Sequence, residues 1–202
     1  MCGRFARFSP VSLFKEAFEI SAVKFDSVKS YNIAPAQDVL AVAYYGERIL
    51  TRFFWGITPH IGKETLKPPL LINARLETIE EKPTFRESYI FRRCLIPADG
   101  FYEWEKACVK KQPWFFKGGS TRLTFAIITR EATGSVSRIH NRTPMILDRK
   151  AYGNWLNPDE KDPKRLRKII QEGAVVAISG HPVSKRVNSI SNNDPSCIEP
   201  AR

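Results

Sequence analysis

Residues 38–59 read DVLAVAYY, then Gly46-Glu47, then RILTRFFWGITP: two runs rich in β-branched and aromatic residues joined by a two-residue turn. No other feature restricts the fold so strongly. A hairpin of this kind cannot bury its apolar side chains alone and needs further strands or a helix to pack against. The rest of the chain supplies them. RRCLIPADGFYEWEK reads as a buried strand, a turn at Ala98-Asp99-Gly100 and a second strand, and PWFFKG, RLTFAIITR, SRIHNRTPMIL and AVVAISGHPV all have strand character. Helical signals are few. Residues 9–18 offer Ser9 as a cap, Pro10 in the first turn and apolar Leu13, Phe14, Ala17 and Phe18, and DRKAYGNWLNPDEKDPKRLRKIIQE supplies one or two short helices. This pattern implies an α+β fold over residues 1–202, a single domain dominated by antiparallel, strongly bent, barrel-like sheet. The absence of a glycine-rich phosphate loop argues against a doubly wound nucleotide-binding fold.

Composition narrows the function classes. The 202 residues are 43% hydrophobic and 26% charged, as in soluble globular proteins. No apolar run approaches the roughly 20 residues of a membrane span. Arg4, Arg7 and Lys15 interrupt any signal-peptide core, which implies a cytoplasmic protein. Cys2, Cys94, Cys108 and Cys197 are scattered without a C-x-x-C pair, so neither a disulfide framework nor a metal site is expected, and no cofactor is signalled. The net charge of +11 favours a polyanionic partner, of which nucleic acid is the commonest inside a cell.

Few residues can carry chemistry. Cys2 can start a strand as a small hydrophobe; loss of Met1 would instead leave an α-amine and a thiol on one residue. Among three histidines, His60 and His181 read as surface or turn residues, whereas His140 and Arg142 project on one face if extended. Asn73 with Arg75, and Cys2 with Arg4, repeat that spacing. Glu103 stands between Tyr102 and Trp104: desolvation by the aromatics would tune it for proton transfer, while simple alternation would leave it solvated. Arginine suits phosphate recognition, and Phe54, Trp55, Tyr102 and Trp104 offer stacking surfaces for unpaired bases.

MCGRF, YNIAPAQ, WGITP, INARLET, RRCLIPADGFYEW, IHNRTPMIL and HPVSKRVN follow one another from Cys2 to about residue 188. Together they closely resemble the SRAP family of SOS-response-associated peptidases, or abasic-site-processing proteins. The resemblance implies covalent, reversible capture of abasic sites in single-stranded DNA through Cys2 after Met1 removal. Asn73, Glu103 and His140 complete the active site it implies, and Arg4, Arg75 and Arg142 match positions expected to hold DNA phosphates, with Trp55 and Phe54 as nucleic-acid contacts. It also implies a monomer without metal or cofactor, nucleoid-associated, of bacterial or archaeal type because the chain stops at Arg202. Thr143, where a methionine is expected, and PHIGKETLKPPLL, which lacks a tryptophan after its first proline, depart from the pattern. Three alternatives stand beside this reading: a thiol peptidase using Cys2 and His140, with removal of its own Met1 as the narrowest case; a non-covalent single-strand binder; and an N-terminal-nucleophile amidohydrolase.

Overall fold

The structure, a computed structural model, describes residues 2–23, 28–58, 70–105, 113–117, 122–123 and 125–201. The chain opens with β1 (Phe5–Arg7), α1 (Val11–Phe18), β2 (Ala22–Val23), β3 (Ser30–Ile33), β4 (Asp38–Tyr44) and β5 (Arg48–Phe54). β6 (Asn73–Arg75) runs into a 3-10 turn at Leu76–Thr78 and then α2 (Pro83–Phe91). β7 (Cys94–Pro97), β8 (Gly100–Trp104), β9 (Pro113–Lys117), β10 (Arg122–Leu123) and β11 (Ile127–Glu131) follow. The last third carries α3 (Gly134–Ser137), β12 (Arg142–Pro144), β13 (Ile146–Leu147), α4 (Tyr152–Leu156), α5 (Pro163–Glu172) and β14 (Ser179–Pro182). Cys108 and His60 lie outside the described residues, as does most of PHIGKETLKPPLL.

Three sheets result, ordered β14-β9-β8-β1-β3, β13-β10-β7-β4-β5-β2 and β12-β11-β6. The class is α+β and mostly antiparallel, as the sequence implies; among the described strands only β2 with β5 and β6 with β11 pair in parallel. The described strands form three sheets without closing a barrel, and the chain changes sheets between consecutive strands. β7 pairs with β4 and β10, whereas β8 pairs with β1 and β9.

The hairpin across Gly46-Glu47 forms in continuous register from Asp38 opposite Phe54 to Tyr44 opposite Arg48. α1 begins later than its capping signal suggests. Pro10 takes the cap position, and Ser9 instead donates its amide to Asp99 Oδ2 at 2.8 Å and its hydroxyl to Asp99 Oδ1. Phe14 and Phe18 bury their rings as the apolar stripe predicts, but Leu13 faces solvent.

Asp99 sits where the chain changes sheets, and it ties that corner to β1. Its amide donates to Ala6 O at 2.9 Å, and its carboxylate accepts from the Phe8 amide at 2.6 Å. A carboxylate receiving several donors is a strong local clamp. The clamp fixes β1 beside β8, with Phe5 opposite Phe101 and the Tyr102 amide donating to Arg4 O at 2.9 Å. The N-terminal segment is therefore ordered against a central strand. Cys2, Phe5, Trp55, Phe101 and Ile127 share one buried cluster, so residue 2 begins inside the core.

Candidate active site and nucleic-acid interface

Cys2 is fully buried, and its Sγ approaches Arg4 O at 3.9 Å. Burial pushes its thiol well above the ordinary value and the nearby Glu103 carboxylate raises it further, outweighing the backbone contact at Arg4. At neutral pH the sulfur is a thiol. It is no ready-made thiolate.

Asn73 opens β6, and its Nδ2 donates to the Cys2 carbonyl at 3.0 Å. The buried Oδ1 of the same amide accepts no hydrogen bond among the described residues. A buried acceptor of this kind is costly unless a donor arrives.

Glu103 is 2% exposed. Alternation along β8 would place it on a wet face, but β8 is a central strand with both faces covered: Phe101 and Tyr102 are buried alongside it. The desolvated carboxylate that the flanking aromatics suggested is what the fold builds, next to the Cys2 thiol.

His140 differs from its expected setting. It precedes β12 instead of lying in an extended strand, and its amide closes the α3 turn on Val136 O at 2.9 Å. Its Nδ1 accepts from the Arg142 amide at 2.9 Å, which assigns the proton of the neutral ring to Nε2. The three-stranded sheet places β12 two strands from the Asn73 strand, with β11 between them.

The three arginines divide by what their guanidinium groups already hold. Arg75 is exposed at the end of β6 and forms no ion pair among the described residues. Arg4 Nη1 donates to Asn32 Oδ1 at 2.6 Å and to Val187 O at 2.8 Å, and its Cζ lies 5.8 Å from the Trp104 ring centroid. Arg142 grips Glu77 with both Nη atoms, at 2.8 and 2.9 Å.

The aromatic residues divide likewise. Trp55, expected as a stacking surface, is fully buried, tilted against Phe5 at 5.2 Å, with Nε1 donating to Ile72 O at 3.1 Å. It is a core residue, because the turn after β5 folds it inward. Tyr102 is buried too, with its hydroxyl on Tyr31 O at 2.5 Å. Phe54 remains 49% exposed, and Trp104 is half-buried with Nε1 on Asn188 Oδ1 at 2.8 Å.

Two residues that the sequence reading did not weigh organise this neighbourhood. Buried Asn32 accepts from Arg4 and donates Nδ2 to Val187 O, Ser189 O and Asn192 O at 3.2, 2.9 and 2.7 Å. It joins the Cys2 end of the chain to a segment more than 150 residues away. Glu77 follows Asn73 and Arg75 at the same two-residue step in INARLET, which is the one signal that could have drawn attention to it. No cluster of three or more His, Cys, Asp or Glu side chains suited to a metal occurs among the described residues.

The chain is 34% identical to the abasic site processing protein YoqW of Bacillus subtilis, over 98% of this chain and 99% of that one. It is 33% identical to the abasic site processing protein YedK of Escherichia coli, over 99% and 100%. A crystal structure of a phage-related protein from Bordetella bronchiseptica superposes with a TM-score of 0.75 at 29% identity, covering 91% of this chain and 95% of that one. The family model described as SOS response associated peptidase (SRAP) matches residues 1–123 and 117–190, and the chain belongs to the SRAP family.

Proposed function

We propose that this protein processes abasic sites in single-stranded DNA by covalent capture through Cys2 after removal of Met1. The observation that carries the proposal is the Asn73 bond to the Cys2 carbonyl beside the buried Glu103 carboxylate. Hydrolysis of the Met1–Cys2 bond frees an α-amine whose reference pKa of about 7.7–8.0 leaves much of it neutral near pH 7. That amine attacks the aldehyde of the ring-opened sugar, and loss of water gives an imine. The Cys2 sulfur then adds to the imine carbon: a C–S bond forms, the thiol proton ends on the nitrogen, and a five-membered thiazolidine closes. Strand cleavage by β-elimination is suppressed, because the imine it needs has been consumed.

The raised thiol supports this order of events. A sulfur held as thiol is a weak first nucleophile, which disfavours a peptidase led by a Cys2 thiolate. Once the adjacent nitrogen is an iminium cation, that charge favours sulfur ionisation, and Glu103 can carry the proton between the two atoms. The open Oδ1 of Asn73 suits an N–H of the freed amine. His140, protonated at Nε2, donates towards the sugar oxygen. Arg75, Arg4 and Arg142 face the phosphates and Phe54 a base, and the protein acts in the cytoplasm as a monomer without metal or cofactor. The names of its relatives and its charge of +11 support DNA as the partner.

Intact-mass measurement before and after mixing with an abasic single-stranded oligonucleotide tests the reading. The expected result is a protein lacking Met1 that gains the oligonucleotide less one water. A wild-type protein that forms no adduct, or a Cys2→Ala protein that forms an equally stable one, refutes it.

A further inference from the structure

Arg142 and Glu77 lie at opposite edges of the three-stranded sheet: Arg142 in β12, and Glu77 in the 3-10 turn that leaves β6. Their ion pair crosses the middle strand, β11. There Thr129 offers the Arg142 Nη2 two further acceptors, its carbonyl at 2.6 Å and its hydroxyl at 3.2 Å. The Arg142 side chain is only 15% exposed, although Glu77 is 49% exposed. A fork-to-fork pair anchored on a backbone carbonyl fixes the plane of the guanidinium as well as its distance. Glu77 also offsets the charge of Arg142, so the pair adds little to long-range attraction of phosphate.

The other end of Arg142 matters equally. Its main-chain amide is the donor that His140 Nδ1 accepts. Arg142 is therefore held at its side-chain tip by Glu77 and Thr129 while its backbone sets the tautomer of His140. The carboxylate at position 77 is the only acid in that grip among the described residues.

We propose that Glu77 is a positioning residue: it holds Arg142 across β11 and, through the Arg142 amide, keeps His140 oriented with its Nε2–H towards the reacting sugar. The reaction arm of the test rests on the abasic-site reading above; the spectroscopic arm does not. Glu77 touches no reacting atom in this scheme. It costs attraction for DNA and gains order at the site.

The signs of these two effects are opposite, which makes the proposal testable. Glu77→Gln keeps the shape and removes the anion, and Glu77→Asp keeps the anion on a shorter stem. Three measurements are needed: NMR of the Arg142 Nη–H groups in DNA-free protein, the Kd for an intact single strand, and the rate of adduct formation at saturating abasic strand. In wild type the Arg142 Nη–H resonances are resolved and slow to exchange; in Glu77→Gln they collapse to an averaged signal. Glu77→Gln binds intact DNA as tightly as wild type or more tightly, yet forms adduct roughly tenfold to a hundredfold more slowly, as misplacement of a reacting group does. Glu77→Asp recovers part of the rate. The proposal fails if the Arg142 resonances are unchanged in Glu77→Gln, if the saturated rate stays within about twofold of wild type, or if rate and DNA affinity fall together by the same factor. A wild-type protein that forms no adduct refutes the abasic-site reading instead, and the NMR comparison then decides the grip of Glu77 on Arg142 alone.

Discussion

Replacing Asn32 by Leu removes a buried amide with several partners near the Cys2 strand and, because leucine keeps the branching at Cγ and is the larger side chain, opens no cavity, so the loss carries no cavity contribution. Nδ2 has two hydrogens to share among the carbonyls of Val187, Ser189 and Asn192, and Oδ1 accepts from the charged Arg4 at 2.6 Å. Taking about 1 kcal/mol for each neutral bond and about 2 for the charged one gives a loss of about 4 kcal/mol. That is a large share of the roughly 5–15 kcal/mol by which domains are stable. Arg4 keeps its bond to Val187 O at 2.8 Å, so it does not become an uncompensated charge, and the estimate needs no further penalty. Urea titration followed by tryptophan fluorescence measures the change, with Trp104 reporting locally because it contacts both Asn188 and Arg4. A double-mutant cycle with Arg4→Met isolates the pairwise part, expected at about 1–2 kcal/mol. A loss below about 1 kcal/mol, or zero coupling to Arg4, refutes the reasoning.

Arg75→Ala, which removes the exposed guanidinium at the end of β6, should flatten the plot of log K against log salt for single-stranded DNA by about 0.7; fluorescence anisotropy across a salt series reads it, and an unchanged slope excludes a phosphate contact. Stability should fall as pH rises past about 8.5. Burial pushes the Cys94 thiol up to about 12 and also raises Cys2, Tyr89 and Tyr102, so the folded state keeps protons that the unfolded chain has already released. Urea midpoints between neutral pH and about pH 10 follow this decline, and Cys94→Ala should make it shallower. Gly56→Ala should destabilise by roughly 1–3 kcal/mol in the same titration: Gly56 has φ +130°, and a Cβ there would stand 2.4 Å from Leu70 Cγ.

Much of the fold is legible from local pattern. The β4–β5 hairpin follows from its turn and its two apolar runs, and the helices after residue 148 follow from their spacing. The misses have tertiary causes. Ser9 looks like a helix cap, yet Asp99, 90 residues away, takes its amide and hydroxyl. AVVAISGHPV looks like one strand, but only Ser179–Pro182 forms a ladder; Ala174 and Val183 make single bridges to Leu147 and Pro200, and Val175 donates its amide to Ile146 O before the chain turns towards β9. Consecutive β7 and β8 read as neighbours, but the corner at Asp99 delivers them to different sheets.

At the candidate site, the sequence can single out residues by type: a second-position cysteine, a carboxylate among aromatics, a histidine beside an arginine. Residues that enter the neighbourhood through distant contacts cannot be singled out in that way. Asn32 and Glu77 find their partners 155 and 65 positions away, and no local pattern encodes such a meeting. The period-two argument for a solvated Glu103 failed for a related reason, since alternation predicts a wet face only where one side of a sheet is open, and β8 is covered on both. Occupancy also sorts arginines that sequence treats alike. Arg4 has one Nη held by Asn32 and Val187 O, and Arg142 has both Nη atoms held by Glu77, whereas Arg75 carries no ion pair among the described residues. Under the proposed function, a strand arriving at this surface would meet an Arg75 without an ion pair beside two arginines already held, so Arg75 should govern how the salt dependence of binding changes while Arg4 and Arg142 should govern geometry. Arg142→Lys, which keeps the charge and loses the fork, should therefore leave the salt slope near that of wild type and slow adduct formation.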